Sequence, residues 1–272
     1  MTDFFSIMAA PFVACLVMVG IHAYLGLHVL AREVIFVDLS LAQIAALGGT
    51  LSFLAGYDLN STTAYLCSLC ATFLGAAVFA FTRTHRGRVP QEAIIGIVYA
   101  VSAAAGILAI DRAPHGTEHI KQMLVGSILW VTWPDIAKIA IIYILVGLFH
   151  WIYRNRFLTI SFNEPLAIQN GWAIRTWDFL FYASFGFVIT SSVQIAGVLL
   201  VFSFLIIPTV CAALLANRIG TRLFIGWGVG FFVSTLGCTL SYFLDLPTGA
   251  AIVCLFGLTL LFVAVIHHLF KT

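Results

Sequence analysis

The chain has 272 residues, 62% of them hydrophobic and 9% charged, with a formal net charge of +2. Soluble domains carry about 25% charged residues, so nearly the whole length reads as solvated by lipid and by itself: an all-α, polytopic membrane protein. The small charge, spread over short loops, excludes a nucleic-acid-binding face, and six cysteines that all lie in apolar runs argue against a disulfide framework.

A membrane span takes about 20 apolar residues at about 1.5 Å rise each. In chain order the expected spans are 4–30, 36–56, 62–82, 92–110, 134–153, 178–194, 195–216, 223–244 and 249–268. The apolar block 178–216 is too long for one span and just long enough for two. The expected architecture is therefore a transmembrane helical bundle of eight or nine spans, a single domain over 1–272. Met1-Thr2-Asp3 brings no basic n-region, so no cleavable signal peptide is expected.

Lys and Arg set the orientation. With the Arg32 loop cytoplasmic, alternation also places Arg83, Arg86, Arg88, Arg154, Arg156, Arg175, Arg218, Arg222 and Lys271 inside, ten of the thirteen basic residues. Arg112, Lys121 and Lys138 fall at the outer face. Nine spans make this alternation close, with the N-terminus outside and the C-terminus inside.

Two interruptions stand out. Residues 111–133 form an outer loop whose second half, His119 to Val131, is apolar enough to lie in the interface or dip into the membrane. Residues 154–177 form a long inner loop punctuated by Pro165 and Gly171, and loops of this length usually carry function. The spans are rich in Gly and Ala, as close helix packing in lipid requires.

No Gly is followed by Lys, so the chain has no phosphate-cradling P-loop, and it has neither a Ser nucleophile elbow nor a His-Glu-x-x-His motif. The expectation is a transporter subunit rather than an enzyme; if ATP is used, another chain binds it.

The run Gly197-Val-Leu-Leu-Val-Phe-Ser-Phe-Leu-Ile-Ile-Pro208-Thr-Val-Cys-Ala-Ala-Leu-Leu-Ala-Asn217 resembles the signature of the zinc/manganese-type permeases of ABC importers. Glu92-Ala-Ile-Ile-Gly96, Leu124-Val-Gly126-Ser127-Ile128-Leu129, Ser161-Phe162-Asn163-Glu164-Pro165 and Asp245-Leu-Pro247-Thr248-Gly249 follow the same family pattern, in the family's order. The vitamin B12 and siderophore permeases are similar and usually longer. The resemblance implies an ABC importer permease fold and a copy of the same chain as partner. It also implies two ATPase subunits docked inside and a solute-binding protein docked outside. It places the ATPase contact at Asn217, Arg218, Ile219, Gly220, Thr221 and Arg222, after a helix that Pro208 can bend or end.

In that family the second span normally reads Asp-Ala-Leu-Ser-His, an Asp and a His one helical turn apart that hold the metal. Here Gln43 stands in the His position and Leu39 in the Asp position, and the acid is Asp38, five residues before Gln43. If spans one and two are antiparallel about a turn near Glu33, residues equally far from the turn share a depth. That pairs His28 with Asp38, and His22 with Gln43 about 15 Å from the turn. The expectation is that His22, Asp38 and Gln43, with His28, line the translocation path; the alternative is that His28 and Asp38 neutralise each other and His22 bonds a carbonyl. Histidine suits Zn²⁺ or Fe²⁺, whereas Gln suits hydrated or oxygen-bound ions.

Other polar residues rank lower. Cys67 and Cys70 have CxxC spacing but lie mid-span, where they read as packing residues. His115, Glu118 and His119, with Asp111, read as a solvated loop or as a point that receives metal. Gln194 lines the path or caps a helix, His267 and His268 read as a cytoplasmic tail, and the aromatic stripe through 177–187 reads as a packing surface.

The expected function is the membrane subunit of a bacterial inner-membrane importer for Zn²⁺, Mn²⁺ or Fe²⁺, a homodimer in lipid driven by a partner's ATP hydrolysis. The chain itself would hold no resident cofactor. The alternatives are a permease for a metal chelate (siderophore, haem or cobalamin) and an ATP-independent carrier or channel in which Asp38 relays ions.

Overall fold

The computed structural model describes residues 2–58, 61–83, 89–111, 126 and 128–271. Among them the chain is helix and turn throughout. Ten α-helices follow in order: α1 (Thr2–Ala31), α2 (Val37–Leu54), α3 (Thr62–Thr82), α4 (Gln91–Ile110), α5 (Trp133–Ile152), α6 (Arg154–Phe162), α7 (Glu164–Gln169), α8 (Ile174–Leu215), α9 (Ile219–Leu244) and α10 (Thr248–Lys271), with a 3₁₀ turn at Ile128–Trp130. Eight of the helices are long and apolar enough to cross a membrane: α1 to α5, α8, α9 and α10.

The helix α8, at 42 residues, would be about 63 Å long if straight, twice a hydrocarbon core of about 30 Å. It is not straight. Gly197 has φ 75° and ψ 162°, which ends one helix and starts another. Residues 174–196 and 198–215 are thus two segments of spanning length, so the eight long helices among the described residues give nine such segments, within the expected eight or nine. Only glycine adopts that backbone without strain. Pro208, expected to bend or end this helix, does not end it; the helix runs on to Leu215.

The α1–α2 turn lies where the sequence places it, with Glu33 at φ 56°. The inner loop does not remain a loop. Arg154–Phe162 and Glu164–Gln169 are short helices, the first burying Phe157 and Ile160 on one face. Asn163 caps the second, its side-chain oxygen accepting the Leu166 N–H at 3.3 Å, with Pro165 in the first turn and Gly171 at φ 68° just beyond the end. Those are ordinary start and stop residues. Read as punctuation of a loop, they were punctuation of a helix.

The chain divides into two compact units. The first comprises Met1–Leu30, Leu124–Tyr143 and Ser192–Thr272; the second comprises Ala31–Met123 and Ile144–Ser191. In the first unit Phe204 and Phe256 meet edge to face, their ring centroids 5.2 Å apart, inside the roughly 4.5–7 Å of favourable aromatic pairs. Gly26 lies so close to α8 that a Cβ would stand 2.2 Å from the Leu205 carbonyl oxygen. Gly126 (φ 69°) lies against the break in α8, where a Cβ would stand 2.2 Å from the Ala196 carbonyl carbon. In the second unit Gly48 lets α2 pack on α3 at the Cys67 carbonyl. The stripe of Trp177, Phe181, Tyr182 and Phe185 is buried and packs between helices.

Candidate functional site

In the first unit α1 carries His22 and His28, both fully buried in an apolar helix. His22 Nδ1 lies 2.8 Å from the Met18 carbonyl one turn back. A carbonyl only accepts, so Nδ1 carries the proton, and in the neutral ring Nε2 accepts. Its donor is Ser192, whose Oγ is 3.2 Å away. Ser192 in turn accepts from the Tyr143 hydroxyl at 2.5 Å. The result is a directed chain from Tyr143 through Ser192 and His22 to the Met18 carbonyl. His28 meets the Tyr24 ring edge to face at 4.8 Å. Of the two readings of His22, the bond to a carbonyl is present; it leaves Nε2 as the nitrogen with a lone pair.

In the second unit Asp38 and Gln43 are buried on α2. Asp38 stands in the first turn, where the helix dipole favours a carboxylate. Glu92 of α4 serves the same helix end, its Oε1 accepting the Phe36 N–H at 3.0 Å. Among the described residues, Asp38 Oδ1 and Glu92 Oε2 are buried without a hydrogen-bond partner. Five residues along an ideal helix turn it by about 140°, so Asp38 and Gln43 do not share a face. In each expected pair the histidine belongs to the first unit and the Asp or Gln to the second. Among the described residues neither unit gathers three His, Cys, Asp or Glu side chains able to hold a metal.

The strongest electrostatic feature of the second unit is one that the sequence reading missed. Asp178, fully buried in the first turn and a half of α8, binds two arginines, one on each oxygen: Arg32 Nη1 at 2.7 Å and Arg83 Nη1 at 2.6 Å. Arg32 Nε also donates to Ser161 Oγ at 2.8 Å, and its guanidinium lies 4.0 Å over the Phe181 ring. Arg83 reaches Glu164 at 3.1 Å. Burial works against the charge of Arg83, but Asp178 and Glu164 more than offset it and hold the group above the usual arginine range. The signal was an acid at the very start of an apolar run, which must be paired or functional.

The turn expected to meet the ATPase is a knuckle of the first unit. The helix α8 ends at Leu215, and α9 begins at Ile219. Asn217, Arg218, Ile219, Gly220 and Thr221 are exposed. Arg222 is half-buried, and its Nε donates to the Ala216 carbonyl at 2.8 Å, closing the end of α8. The two arginines therefore differ: Arg218 faces out, and Arg222 holds the turn.

Elsewhere, Gln194 is exposed, three residues before the break at Gly197. Cys67 and Cys70 are free thiols on α3. His267 and His268 belong to the last turns of α10 rather than to a separate tail. Asp111 is an exposed residue at the end of α4, whereas His115, Glu118 and His119 lie outside the described residues.

The model of the ABC 3 transport family matches residues 4–268. A protein of Chlamydia trachomatis named "Probable metal transport system membrane protein" is 24% identical over 233 residues, 86% of this chain and 80% of its own length. The manganese transport system membrane protein MntC of Listeria innocua is 30% identical over 188 residues, 66% of this chain and 67% of its own. Among solved structures, a chain of PsaBC from Streptococcus pneumoniae in complex with Fab superposes with a TM-score of 0.79 at 22% identity, covering 96% of this chain and 94% of that one. That likeness is one of fold.

Proposed function

The chain belongs to the ABC 3 transport family, and from that premise we propose that it is the membrane-spanning permease subunit of an importer for divalent transition-metal ions. The observation that carries this reading is the family match over almost the whole chain, on a fold with nine helical segments of spanning length. The metal-transport names of its relatives support the cargo class; Mn²⁺ and Fe²⁺ lead, with Zn²⁺ beside them.

The finer parts of the reading are these. The chain acts as one permease domain in a bacterial inner membrane, paired with a second copy, with an ABC ATPase on the cytoplasmic side and a solute-binding protein outside. ATP is hydrolysed by the partner. The knuckle from Asn217 to Arg222, exposed from Asn217 to Thr221, docks on the ATPase. The path runs past His22, His28, Asp38 and Gln43.

The charge network supports the orientation. Arg32 after α1, Arg83 after α3, Glu164 at the start of α7 and Asp178 near the start of α8 meet in one cluster of the second unit. Alternation of spans puts all four on the side richest in Lys and Arg, which is the cytoplasmic side.

The test is reconstitution with a cognate ABC ATPase and solute-binding protein. The expected result is ATP hydrolysis stimulated by Mn²⁺, Fe²⁺ or Zn²⁺ and ATP-dependent uptake of the same ion. A chain that purifies without any ATPase and transports alone would refute the reading.

A further inference from the structure

We propose that His22, Tyr143 and Ser192 form a station for a divalent transition-metal ion, one imidazole nitrogen with two hydroxyl oxygens, latched shut in this structure by their own hydrogen bonds. The proposal rests on the importer reading and adds Tyr143 and Ser192 to the path.

All three side chains are shut away from solvent, His22 and Ser192 at 0% exposure and Tyr143 at 5%. Burying three polar groups together among apolar helices is costly unless they satisfy one another. Here they do, and the manner of it leaves a ligand set. A ligating histidine is normally held by a hydrogen bond from its other ring nitrogen to a carbonyl or carboxylate. The Met18 carbonyl takes the Nδ1 proton of His22 in this way, so Nε2 keeps its lone pair for Ser192, whose Oγ holds the Tyr143 hydroxyl, while the Tyr143 ring lies edge to face on the imidazole with centroids 5.9 Å apart. His150 of the second unit is held differently. Its Nε2 meets Ser184, and its ring lies flat on Phe157 at 4.2 Å and against Phe181, packed by aromatics.

The spacing suits a metal after a small opening. Two ligands at about 2.05 Å from a tetrahedral ion stand about 3.3 Å apart. The Ser192 Oγ to His22 Nε2 distance is already 3.2 Å. The Tyr143–Ser192 pair, at 2.5 Å, must part by about 0.8 Å to reach that separation. Parting breaks the hydroxyl chain and turns the oxygen lone pairs to the ion, while the hydroxyl protons turn away to other acceptors.

Three neutral donors hold a cation loosely and leave it some of its own waters. That is what a passing cargo needs, since binding must be strong enough to admit the ion and weak enough to release it. The imidazole favours first-row transition metals over Mg²⁺ and Ca²⁺, and the hydroxyls keep Mn²⁺ and Fe²⁺ in range.

The test adds a ligand whose metal bond is visible. Ser192→Cys in the full chain, purified with its ATPase and titrated with Co²⁺, is expected to give a thiolate-to-cobalt charge-transfer absorption. The unaltered chain, with its six native cysteines, sets the background, and adding His22→Ala is expected to abolish the new band. Should Ser192→Cys fold poorly, Tyr143→His supplies a second imidazole and is expected to tighten Co²⁺ binding by the same spectral titration. In transport, Tyr143→Phe and Ser192→Ala are each expected to raise the Mn²⁺ concentration for half-maximal uptake about tenfold. A purely structural hydrogen-bond chain would lower the melting temperature and leave that concentration unmoved. No band in a folded Ser192→Cys chain, or a band that survives His22→Ala, overturns the station. If the unaltered complex still takes up Mn²⁺ in that case, the importer reading stands without it. If the unaltered complex takes up no divalent metal, the importer reading falls and the station falls with it.

Discussion

Arg32 and Asp178, 146 residues apart in sequence, are joined Nη1 to Oδ1 at 2.7 Å with both side chains closed to solvent. The other Asp178 oxygen holds Arg83, so one carboxylate balances two guanidiniums. Removing one partner of a buried ion pair strands the other charge, at a cost of about 3–5 kcal/mol. Asp178→Asn strands Arg32 fully and Arg83 partly. It is expected to lower the melting temperature of the detergent-solubilised chain sharply, read by the loss of the monodisperse peak on heating. Arg83→Ala, whose Glu164 partner is partly exposed, is expected to be milder. Equal melting of Asp178→Asn and the unaltered chain would mean that the cluster contributes no stability.

The glycine pair at the break in α8 makes a second prediction. Gly197 and Gly126 both sit at positive φ, and a side chain at Gly126 would collide with the α8 backbone. Forcing a non-glycine residue into such a backbone costs about 1–3 kcal/mol before any clash is counted. Gly126→Ala and Gly197→Ala are each expected to cut the yield of folded chain several-fold. Gly96→Ala is the control, because a Cβ there meets nothing within 4 Å. In a helix interior that substitution stabilises by about 0.5–1 kcal/mol, so its yield is expected to hold or rise.

These elements also mark what could be read from the sequence. The spans were legible because hydropathy needs no partner: a run long enough to cross lipid reveals itself. The break in α8 was legible as excess length, and the expected boundary between 194 and 195 lies within three residues of Gly197, whose backbone makes the break. The helices α6 and α7 were hidden because their apolar faces are short, although Asn163, Pro165 and Gly171 signalled the ends. Asp178 was overlooked because a residue at a span boundary looks like the edge of a loop until its partners are known. Ser192 and Tyr143 were unremarkable in sequence, as hydroxyls are common in spans; only their meeting with His22 makes them candidates.

At the knuckle between α8 and α9, two arginines four residues apart are expected to respond differently. Arg218 is exposed, and surface substitutions away from special features usually stay within about 0.5 kcal/mol. Arg218→Glu is therefore expected to leave melting unchanged while weakening ATPase association at least tenfold, measured by co-purification at fixed salt. Arg222→Ala frees the Ala216 carbonyl and the end of α8. It is expected to lower both melting and ATPase association. Unaltered association in both variants would remove the knuckle from the ATPase interface.

The last prediction concerns α2, where this chain departs from the family's usual residues. Gln43 stands where the resemblance places a histidine, and a carboxamide oxygen is a far poorer ligand for Zn²⁺ than an imidazole nitrogen. Gln43→His supplies that nitrogen on the same helix face at little change in bulk. It is expected to lower the Zn²⁺ concentration for half-maximal uptake about tenfold relative to Mn²⁺, a difference of about 1.4 kcal/mol in relative binding. Asp38→Asn keeps the shape of the neighbouring acid and removes its charge. Asp38 is buried with an oxygen that has no hydrogen-bond partner among the described residues, so little folded structure depends on that oxygen. If the charge serves the cargo, uptake of every divalent ion falls at least tenfold while melting is held or improved, since an unpaired buried charge is itself destabilising. If both variants keep the parent's uptake and metal preference, α2 does not line the path, and the ligands must be sought on the other helices.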